Sequence, residues 1–461
     1  MAELLSFEKY AKIEFTHAIP YILAFKKKRK EILYIGTKHT FNPNNKNLTY
    51  FKNLILQYKP DCILLEGDVR NQIYKTKKEA VKKAAEMGYI KYIADKSEIR
   101  TESLEMPFEQ QLEELAKSHT LENIFLFVTV RAAPFGIKFI EQEISELKKY
   151  SLFRTFKISY KYFKQRYKES FGKSFSPKAN KGLYDLTSPT KYISMLNEIS
   201  RKNNYIRDQY MILKVQKELK TANRLMVFVG ASHVVIQEPV LQEKFTSVNT
   251  DMFDEQAIRA FVAAKKSYGS KKATKAYDPW TVRDNKDYKL EVRKIRAIAS
   301  KHGNHDNKTL LDIGCGTGTH LMLLENYYNC IGIDPFEEML EHARKKTKKT
   351  TFIQADMRTL RLNKTFDVII SLYSAISYSG TYPVFREVME NIYNHLNPGG
   401  VVIIDPFFQK DPKIKGDTYW LYNDPEKWLK IMTEVGFAAS FHKNRYLDNP
   451  KKGLYILTRK K

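Results

Sequence analysis

Short apolar runs alternate with helical patterns of polar and apolar residues along most of this 461-residue chain. Several of the runs pass directly into glycine, serine or acidic residues, which is typical of strands in an open parallel sheet. Strands that alternate with helices indicate an α/β fold class. Because 461 residues exceed what one hydrophobic core usually organises, we expect two α/β domains.

One segment, residues 263–275, interrupts this alternation. It is small, polar and basic, and its apolar residues follow no clear period. Such a composition is typical of a linker. We therefore expect a first domain at residues 1–262, a basic linker at 263–275 and a second domain at 276–461. Within the second domain, a helical pattern begins near Tyr288.

The most informative segment of the second domain is an apolar run that leads into three alternating glycines. Residues 310–313 form the run, and Gly314, Gly316 and Gly318 follow it. Glycines at this spacing let the backbone turn tightly and let a ligand lie against main-chain N–H groups. The next apolar run ends in Asp334, whose carboxylate could accept both hydroxyls of a ribose. Together they predict a site for a nucleoside-containing ligand.

These motifs resemble those of the class I S-adenosylmethionine (SAM) methyltransferases. The GxGxG spacing favours that family over NAD-binding proteins, and residues 354–357, 366–371 and 396–404 are similar to its later strands and turns. The resemblance implies a Rossmann-like, seven-stranded methyltransferase sheet and SAM as the cofactor, with an aromatic N-terminal segment folded over it. The cofactor-binding residues that it implies are Tyr277, Asp312, Gly314, Cys315, Gly316, Gly318, Asp334, Pro335, Asp356, Met357 and Ser371.

The ends of the fourth and fifth strands are where this family places the methyl acceptor. The catalytic side chains expected there are Tyr373, Tyr378 and Asp405. Residues 315–321 and 405–408 look most like the branch that N-methylates deoxyamino sugars, so the resemblance implies a small-molecule acceptor such as an amine. An amine must lose a proton before it attacks, and Asp405 or a tyrosine-bound water could accept it. The sequence shows no unambiguous base.

Three strands of the first domain end in residues that can carry chemistry. The runs and the polar residues after them are 31–35 with His39, 61–65 with Glu66, and 225–229 with His233. Ligands of open α/β sheets bind beyond the carboxyl ends of strands, so we expect one shared polar site. Two histidines and a carboxylate suit a divalent metal such as zinc, iron or manganese. Without a metal, a histidine could act as a general base in hydrolysis, with Glu66 orienting it or the attacking water.

The Gly-x-x-His motifs at 36–39 and 230–233, with Glu66 between them, resemble the TraB/TIKI superfamily. That resemblance implies a first domain that is hydrolytic or ligand-binding. Arg207 and Glu86 fall where the superfamily carries further polar site residues. A membrane role does not follow, because the residues after this domain resemble a methyltransferase and not membrane-spanning helices.

The formal net charge of +26 raises the question of nucleic-acid binding. The excess is spread along both halves of the chain, so we expect a generally solvated lysine surface. Residues 148–183 interleave basic and aromatic side chains, a pattern found in single-strand binding sites and on membrane surfaces. We expect instead a helical hairpin with its aromatic side chains inward. Nucleic acid as a partner is disfavoured but stays open.

Cysteine usage and the absence of targeting patterns bear on location. Cys62, Cys315 and Cys330 are too few and too scattered for a disulfide framework. No apolar run approaches the length of a membrane span, and the first residues lack a signal-peptide pattern. We therefore expect a protein of the reducing cytoplasm.

Three functions remain open. The leading one is a SAM-dependent methyltransferase for a small molecule, fused to a TraB-like domain. The second is an RNA or protein methyltransferase whose basic first domain binds the substrate, although the Asn/Asp-Pro-Pro-Tyr signature of base-amine methylation is missing. The third is a non-enzymatic sensor of SAM. The pattern does not determine the oligomeric state.

Overall fold

The computed structural model describes residues 2–14, 16–67, 72–176, 180–283, 287–303, 308–406, 420–443 and 453–460. It describes backbone alone for residues 180, 181, 279–283 and 443. The chain divides into two compact units, Met1–Asn249 (unit 1) and Thr250–Lys461 (unit 2).

Unit 1 is built on a mixed sheet. Its strands are β1 (Tyr21–Lys27), β2 (Lys30–Thr37), β3 (Cys62–Leu65), β4 (Arg100–Ser103), β5 (Arg224–Gly230) and β6 (Thr246–Val248). They lie in the order β4-β3-β5-β2-β1-β6. Strands β2 to β5 are parallel to their neighbours in this group, and β1 pairs antiparallel with β2 and β6. The three strands that the sequence predicts therefore end at one edge of the sheet.

The helices of unit 1 cover this sheet and form a second core beside it. They are α1 (Phe7–Ile13), α2 (Lys46–Tyr58), α3 (Lys77–Lys96), α4 (Phe108–Ala116), α5 (Leu121–Ala132), α6 (Ile137–Leu147), α7 (Tyr160–Phe171), α8 (Asn180–Thr187), α9 (Met195–Glu218) and α10 (Ala231–Lys244). The second core is mostly helical and centres on α5, whose Phe125 is fully buried. Apolar burial of this kind is the main stabilising contribution in both cores.

The aromatic residues of 148–176 pack inward as the sequence predicts, but this part of the expected helical hairpin contains a single α-helix, α7, after a short 3-10 turn. Phe153, Phe163 and Tyr167 are buried in the second core, and Phe163 and Tyr167 both contact Phe175. The lysines of the same stretch, such as Lys161, are exposed. The aromatic rings are thus used for packing rather than displayed for stacking on a ligand.

Unit 2 is a Rossmann-like α/β unit, as predicted. Its strands are β7 (Thr309–Ile313), β8 (Asn329–Asp334), β9 (Thr351–Gln354), β10 (Phe366–Ser371), β11 (Leu396–Ile404), β12 (Ala438–Lys443) and β13 (Gly453–Thr458). The seven-stranded sheet has the order β12-β13-β11-β10-β7-β8-β9. Strands β7 to β11 are parallel, whereas β13 pairs antiparallel with β11 and β12. The strand order reverses at β7, and ligands of such sheets bind at this switch point.

The helices of unit 2 pack on both faces of the sheet. They are α11 (Glu255–Tyr268), α12 (Lys271–Arg283), α13 (Tyr288–His302), α14 (Thr319–Leu324), α15 (Glu337–Lys346), α16 (Tyr382–His395) and α17 (Pro425–Val435). On one face Phe385 stacks on Trp428, with ring centroids 4.2 Å apart. On the other face Val292 and Ile295 of α13 pack on the strands.

The structure differs from the expected linker at residues 263–275. Helices α11 and α12 cover this stretch, with Gly269 and Ser270 between them. Alanine and lysine are strong helix formers, and Ala257, Phe261 and Ala264 give α11 a buried face that the short alanine side chains obscure in the sequence. The boundary between the two units also lies earlier in the chain than expected, after Asn249.

Within the residues described, no helix combines the length and the apolar content needed to cross a membrane.

Candidate functional site

A cavity opens in unit 2 at the carboxyl ends of β7, β8 and β10. It is lined by the glycine loop, by the end of β8, by residues 355–358 and by aromatic residues of α11, α12 and α13. Its volume is about 1030 Å³, with the open solvent at its mouth included. A cavity at the carboxyl ends of parallel strands lies where ligands of open α/β sheets bind.

The glycine loop has the backbone that the sequence predicts. Gly314, Gly316 and Gly318 have φ angles of 76°, 53° and 71°, in the region that residues with a Cβ adopt at a cost. The Gly314 and Cys315 amides donate to the Ile333 carbonyl at 2.9 and 3.0 Å and hold the loop against β8. Gly314 and Gly316 line the cavity, whereas Gly318 precedes α14 as its N-cap and is not among the lining residues.

Asp334 ends β8 inside the cavity. Its carboxylate accepts hydrogen bonds from the amides of Gly316 and Phe336, both at 3.0 Å. Burial raises the pKa of this carboxyl to about 7, although the two amides oppose the shift. Pro335 lines the cavity beside it. An acceptor held in this way can receive hydrogen bonds from two ribose hydroxyls.

Two further predicted residues lie at the base of the loop. Asp312 is buried and lines the cavity, and burial together with the nearby Asp334 raises its pKa to about 8. Cys315 also lines the cavity, and burial raises the pKa of its thiol. This side chain is therefore a protonated, apolar contact at neutral pH.

Asp356 and Met357 line the opposite end of the cavity, where the resemblance places the adenine. The Asp356 carboxylate accepts from Nε of Arg358 at 2.9 Å. The Arg358 guanidinium lies 4.8 Å from the ring centroid of Phe261, a residue of α11 that the sequence analysis did not single out. These groups give this end of the cavity a partly aromatic lining, which suits a purine.

The predicted acceptor residues Tyr373, Tyr378 and Asp405, and Ser371, which was predicted to bind the cofactor, are divided between the cavity and the interior. Tyr373 and Tyr378 line the cavity, but Ser371 and Asp405 are fully buried and are not among its lining residues. The Ser371 hydroxyl donates to the Ile313 carbonyl at 3.1 Å and links β10 to β7. Asp405 accepts from the Tyr373 amide at 3.1 Å. Both therefore support the site from behind instead of touching a ligand.

Tyr373 has a strained backbone. Its φ angle is 51°, and Ser374 follows with a φ of 65°. Two consecutive non-glycine residues in this region are uncommon, and such strain persists where the surroundings impose it. The Asp405 carboxylate bonds the Tyr373 amide and its carbonyl accepts from the Ser374 amide at 3.0 Å, so these contacts hold the turn.

A cluster of tyrosines forms the wall of the cavity above the glycine loop. The Tyr268 ring packs edge-on against Tyr277 and Tyr378, with centroids 6.0 Å apart in each pair. The Tyr378 hydroxyl donates to the Tyr268 hydroxyl at 3.4 Å. Tyr277 was predicted to cover the cofactor, whereas Tyr268 was missed because it lies in the stretch expected to be a linker.

Asp278 attaches α12 to the glycine loop. Its carboxylate accepts from the Thr317 hydroxyl at 2.6 Å and pairs with Lys346 Nζ at 2.6 Å. Lys346 in turn donates to Thr317 at 2.9 Å. This three-residue clamp keeps Tyr277 over the loop, and no sequence motif identified it.

Glu291 is the most informative residue that the sequence analysis missed. It lies in the first turn of α13, is 4% exposed, and accepts from the Tyr373 hydroxyl at 2.7 and 2.6 Å. Its Oε2 also lies 2.5 Å from Nε2 of His320, a cavity residue. The position of this glutamate next to Val292 and Ile295, on the apolar face of the predicted helix, was the sequence signal that it is buried.

Unit 1 brings together the polar residues predicted there. His39 Nε2 and His233 Nε2 lie 3.7 and 3.5 Å from the two carboxylate oxygens of Glu66. Arg207 donates to Glu66 at 3.1 Å and also binds Glu105. The side chains that follow separate strands thus lie close together, as the sequence predicts. Their chemical roles stay a prediction.

Each histidine of this cluster is oriented by a second carboxylate. His39 Nδ1 lies 2.8 Å from Glu86, and His233 Nδ1 lies 2.7 Å from Asp208. Glu86 follows a break in α3, where Ala85 has φ 49° and ψ −148°. This strained backbone turns Glu86 toward the sheet edge, in the manner of strain stored at functional sites.

The charges of the cluster follow from these contacts. Although burial alone would lower it, Asp208 and Glu66 raise the pKa of His233 to about 10. The hydrogen bond to Glu86 raises the pKa of His39, while burial opposes it. The pKa of Glu66 is well below its usual value despite burial, because His233 and Arg207 stabilise the carboxylate. Among the described residues, no group of histidines, cysteines and carboxylates has an arrangement suited to a metal ion.

Comparison with known proteins bears on unit 2. Residues 310–400 match the sequence profile of a family described as "Methyltransferase domain". The chain is similar to dTDP-3-amino-3,4,6-trideoxy-alpha-D-glucopyranose N,N-dimethyltransferase of Streptomyces venezuelae, with 34% identity over 133 residues that cover 29% of this chain and 56% of the relative. It is also similar to dTDP-3-amino-3,6-dideoxy-alpha-D-glucopyranose N,N-dimethyltransferase of Streptomyces fradiae, with 28% identity over 27% of this chain and 48% of that one.

A solved structure, the SAM-bound amino pentose methyltransferase CalS10 of Micromonospora echinaspora, matches with 21% identity and a TM-score of 0.36, over 40% of this chain and 96% of that chain. The chain spans about half the length of the two curated relatives. The family profile lies wholly within unit 2, so the TraB/TIKI resemblance of unit 1 stays a prediction. Unit 2 of this chain contains a methyltransferase domain.

Proposed function

We propose that the protein is a SAM-dependent methyltransferase whose acceptor is the amine of a small molecule of the amino-sugar kind. The observation that carries the cofactor assignment is Asp334, a buried carboxylate held by the Gly316 and Phe336 amides at the mouth of a glycine loop. This arrangement suits the ribose of SAM, and the apolar lining by Met357 and Phe261 suits its adenine. SAM supplies an activated methyl group on a sulfonium.

The acceptor side of the cavity supports an amine. Its lining includes the three tyrosines Tyr268, Tyr373 and Tyr378. Faces of tyrosine rings attract ammonium groups. The two dimethyltransferases named above act, by their names, on amino sugars carried by dTDP, which is consistent with this chemistry.

The protein's part in the reaction would be positioning. Methyl transfer from a sulfonium releases a neutral thioether, so the reaction needs little acid catalysis on the leaving group. Holding the acceptor nitrogen in line with the methyl group can supply much of the rate enhancement. The fixed backbone of Tyr373 and the tyrosine wall are the groups that would impose this alignment.

The test is methylation by the full chain. Purified protein is incubated with SAM and either dTDP-3-amino-3,4,6-trideoxy-α-D-glucopyranose or bulk RNA, and mass spectrometry follows methylated products. We expect methylation of the amino sugar and not of RNA, with loss of product in Asp334→Ala and retention in the exposed-site control Glu341→Gln. Methylated RNA with no methylated amino sugar would favour the alternative, a nucleic-acid methyltransferase. SAM binding without any product would favour a sensor.

A second function is favoured by the cluster of His39, Glu66 and His233 in unit 1. It forms a polar site at the carboxyl ends of parallel strands, in which His39 is half-exposed and Glu66 and His233 are largely buried, and this supports a hydrolytic or ligand-binding role of the TraB kind. The raised pKa of His233 leaves its imidazole protonated at neutral pH, so it is suited to donate a proton or bind an anion rather than to act as a base.

Hydrolysis by the full chain of p-nitrophenyl acetate tests this second function. We expect Glu66→Gln to reduce the rate by about tenfold or more, because it removes the carboxylate shared by both histidines. Glu113 is an exposed glutamate on α4, so the same change there, Glu113→Gln, serves as the control and should keep the rate. Equal rates in all three proteins would remove the hydrolytic role for this substrate. Elemental analysis of the same preparation tests whether unit 1 holds a metal. The expected location in the cytoplasm stays a prediction.

A further inference from the structure

The reaction proposed above requires a group that takes a proton from the acceptor, and the sequence does not show one. An amine at neutral pH is largely an ammonium ion, and its nitrogen has no free electron pair until it loses a proton. The predicted candidate, Asp405, is fully buried and bonded to the Tyr373 amide, so it does not face the cavity. Another carboxylate of unit 2, that of Glu291, does contact residues that line the cavity.

Glu291 lies next to Tyr373, one of the tyrosines that line the acceptor side of the cavity. Its two oxygens are 2.7 and 2.6 Å from the Tyr373 hydroxyl, and the Tyr373 ring lines the cavity. His320, the other partner of this carboxylate, lines the cavity too. Glu291 therefore contacts two residues of the cavity lining, Tyr373 and His320.

The surroundings hold this pair in one geometry. Tyr288 packs against both His320 and Tyr373, with centroids 4.9 and 6.2 Å apart. Asp405 fixes the Tyr373 backbone at a positive φ angle, and this directs the ring toward α13. Glu291 is in the first turn of α13, near the positive end of the helix dipole.

The direction of the hydrogen bond determines what Tyr373 can offer a ligand. Because its hydroxyl donates its proton to Glu291, the Tyr373 oxygen would act toward an acceptor ammonium as a hydrogen-bond acceptor and not as a donor. Burial, and then Glu291, raise the pKa of this hydroxyl, so Tyr373 stays protonated and cannot serve as the final base by itself. A proton that reaches it must be passed on.

We propose that Glu291 is a positioning residue that receives, through the Tyr373 hydroxyl, the proton that the acceptor amine loses before methyl transfer. This inference rests on the proposed function. The ammonium gives its proton to the Tyr373 oxygen as that hydroxyl gives its own proton to Glu291. The freed nitrogen pair then forms the N–CH₃ bond, the S–CH₃ bond breaks, and its electron pair stays on the sulfur of the thioether product.

A binding experiment tests whether Glu291 acts at the methyl-transfer centre, whatever the natural acceptor is. Sinefungin carries an amine where SAM carries its methyl group, and S-adenosylhomocysteine carries nothing there. Calorimetry should show that Glu291→Gln weakens sinefungin binding by about tenfold, since the negative charge behind the Tyr373 hydroxyl is lost, and changes S-adenosylhomocysteine binding by less than about twofold. Glu341→Gln should leave both affinities unchanged.

Turnover gives the second readout, with dTDP-3-amino-3,4,6-trideoxy-α-D-glucopyranose as the acceptor. We expect Glu291→Gln and Tyr373→Phe to lower kcat by about tenfold or more and to change KM by less than about twofold. If Glu291→Gln does not fold, Tyr373→Phe carries the test, because it keeps the ring and removes only the relay oxygen.

The outcomes separate this inference from the proposed function. An equal loss of both analogues in Glu291→Gln, or no loss of either, overturns the relay while the methyltransferase assignment stands. Wild-type protein that binds both analogues but does not methylate the amino sugar contradicts the acceptor class, and the sinefungin comparison still decides the relay. Wild-type protein that binds neither analogue contradicts the proposed function and the relay together.

Discussion

The Asp334 carboxylate accepts a hydrogen bond from the Gly316 amide at 3.0 Å, so the residue expected to hold a ribose also fixes the glycine loop. This double use explains why the end of β8 and the loop after β7 must keep their relative positions. It also means that substitutions at either residue report on both ligand binding and loop geometry.

Replacement of Asp334 tests the ribose contact. We expect Asp334→Ala to weaken SAM binding by roughly 1–3 kcal/mol, because buried hydroxyls lose a charged acceptor and the Gly316 amide loses its partner. Asp334→Asn keeps an acceptor oxygen for that amide and should weaken binding less. Calorimetry on the three proteins gives the affinities, and an unchanged affinity in Asp334→Ala would remove this residue from the site.

The pH dependence of SAM binding should follow the same carboxyl. Its pKa in the free protein is raised to about 7, and ribose hydroxyls bond best to the ionised form. SAM affinity should therefore increase as the pH rises from about 6 to about 8, with Asp312 (pKa about 8) contributing in the upper part of that range. In Asp334→Asn this increase should be reduced. Affinity that falls over this range in the wild type would contradict the assignment.

Two glycines of the loop should respond differently to alanine. At Gly314 a Cβ would lie 2.5 Å from the Ala375 Cβ, whereas at Gly316 the nearest atom would be Tyr277 Cε1 at 3.9 Å. Gly316→Ala should cost about 1–2 kcal/mol of stability for its positive φ alone. Gly314→Ala should cost about 1–3 kcal/mol more, since it also overpacks the site. Urea unfolding measures both, and equal costs would show that the contact with Ala375 relaxes freely.

The ion cluster of unit 1 should make stability depend on pH in the alkaline range. The pKa of His233 is raised from 6.5 to about 10 in the folded protein. Its contribution to stability is therefore complete below about pH 6.5 and is lost as the pH rises through about 10. Urea unfolding of the wild type should show this loss between pH 7 and 10, and His233→Gln should show less of it. A variant with the same pH dependence as the wild type would exclude His233 as its source.

Several features of the site could be predicted from local sequence. The strand ends, the glycine loop and Asp334 are contiguous or regularly spaced, and the physics that places them is local: a strand, a turn that needs positive φ angles, and the next strand beside it. The same holds for His39, Glu66 and His233, because parallel strands deliver their carboxyl-terminal residues to one edge. Where an element depended on a weak pattern, as in α11, the sequence analysis expected a linker and the structure has a helix.

The sequence by itself determined the two-unit α/β organisation, the methyltransferase sheet of unit 2 and the glycine loop with its acidic strand end. Only the tertiary structure decided that Ser371 and Asp405 support the site from behind, that Tyr268 belongs to its wall, and that Glu291 meets Tyr373 across 82 positions of the chain. The physical reason is that side-chain direction and burial depend on packing between elements that are distant in sequence. A periodic pattern reports which face of an element is apolar, but not which partner that face meets.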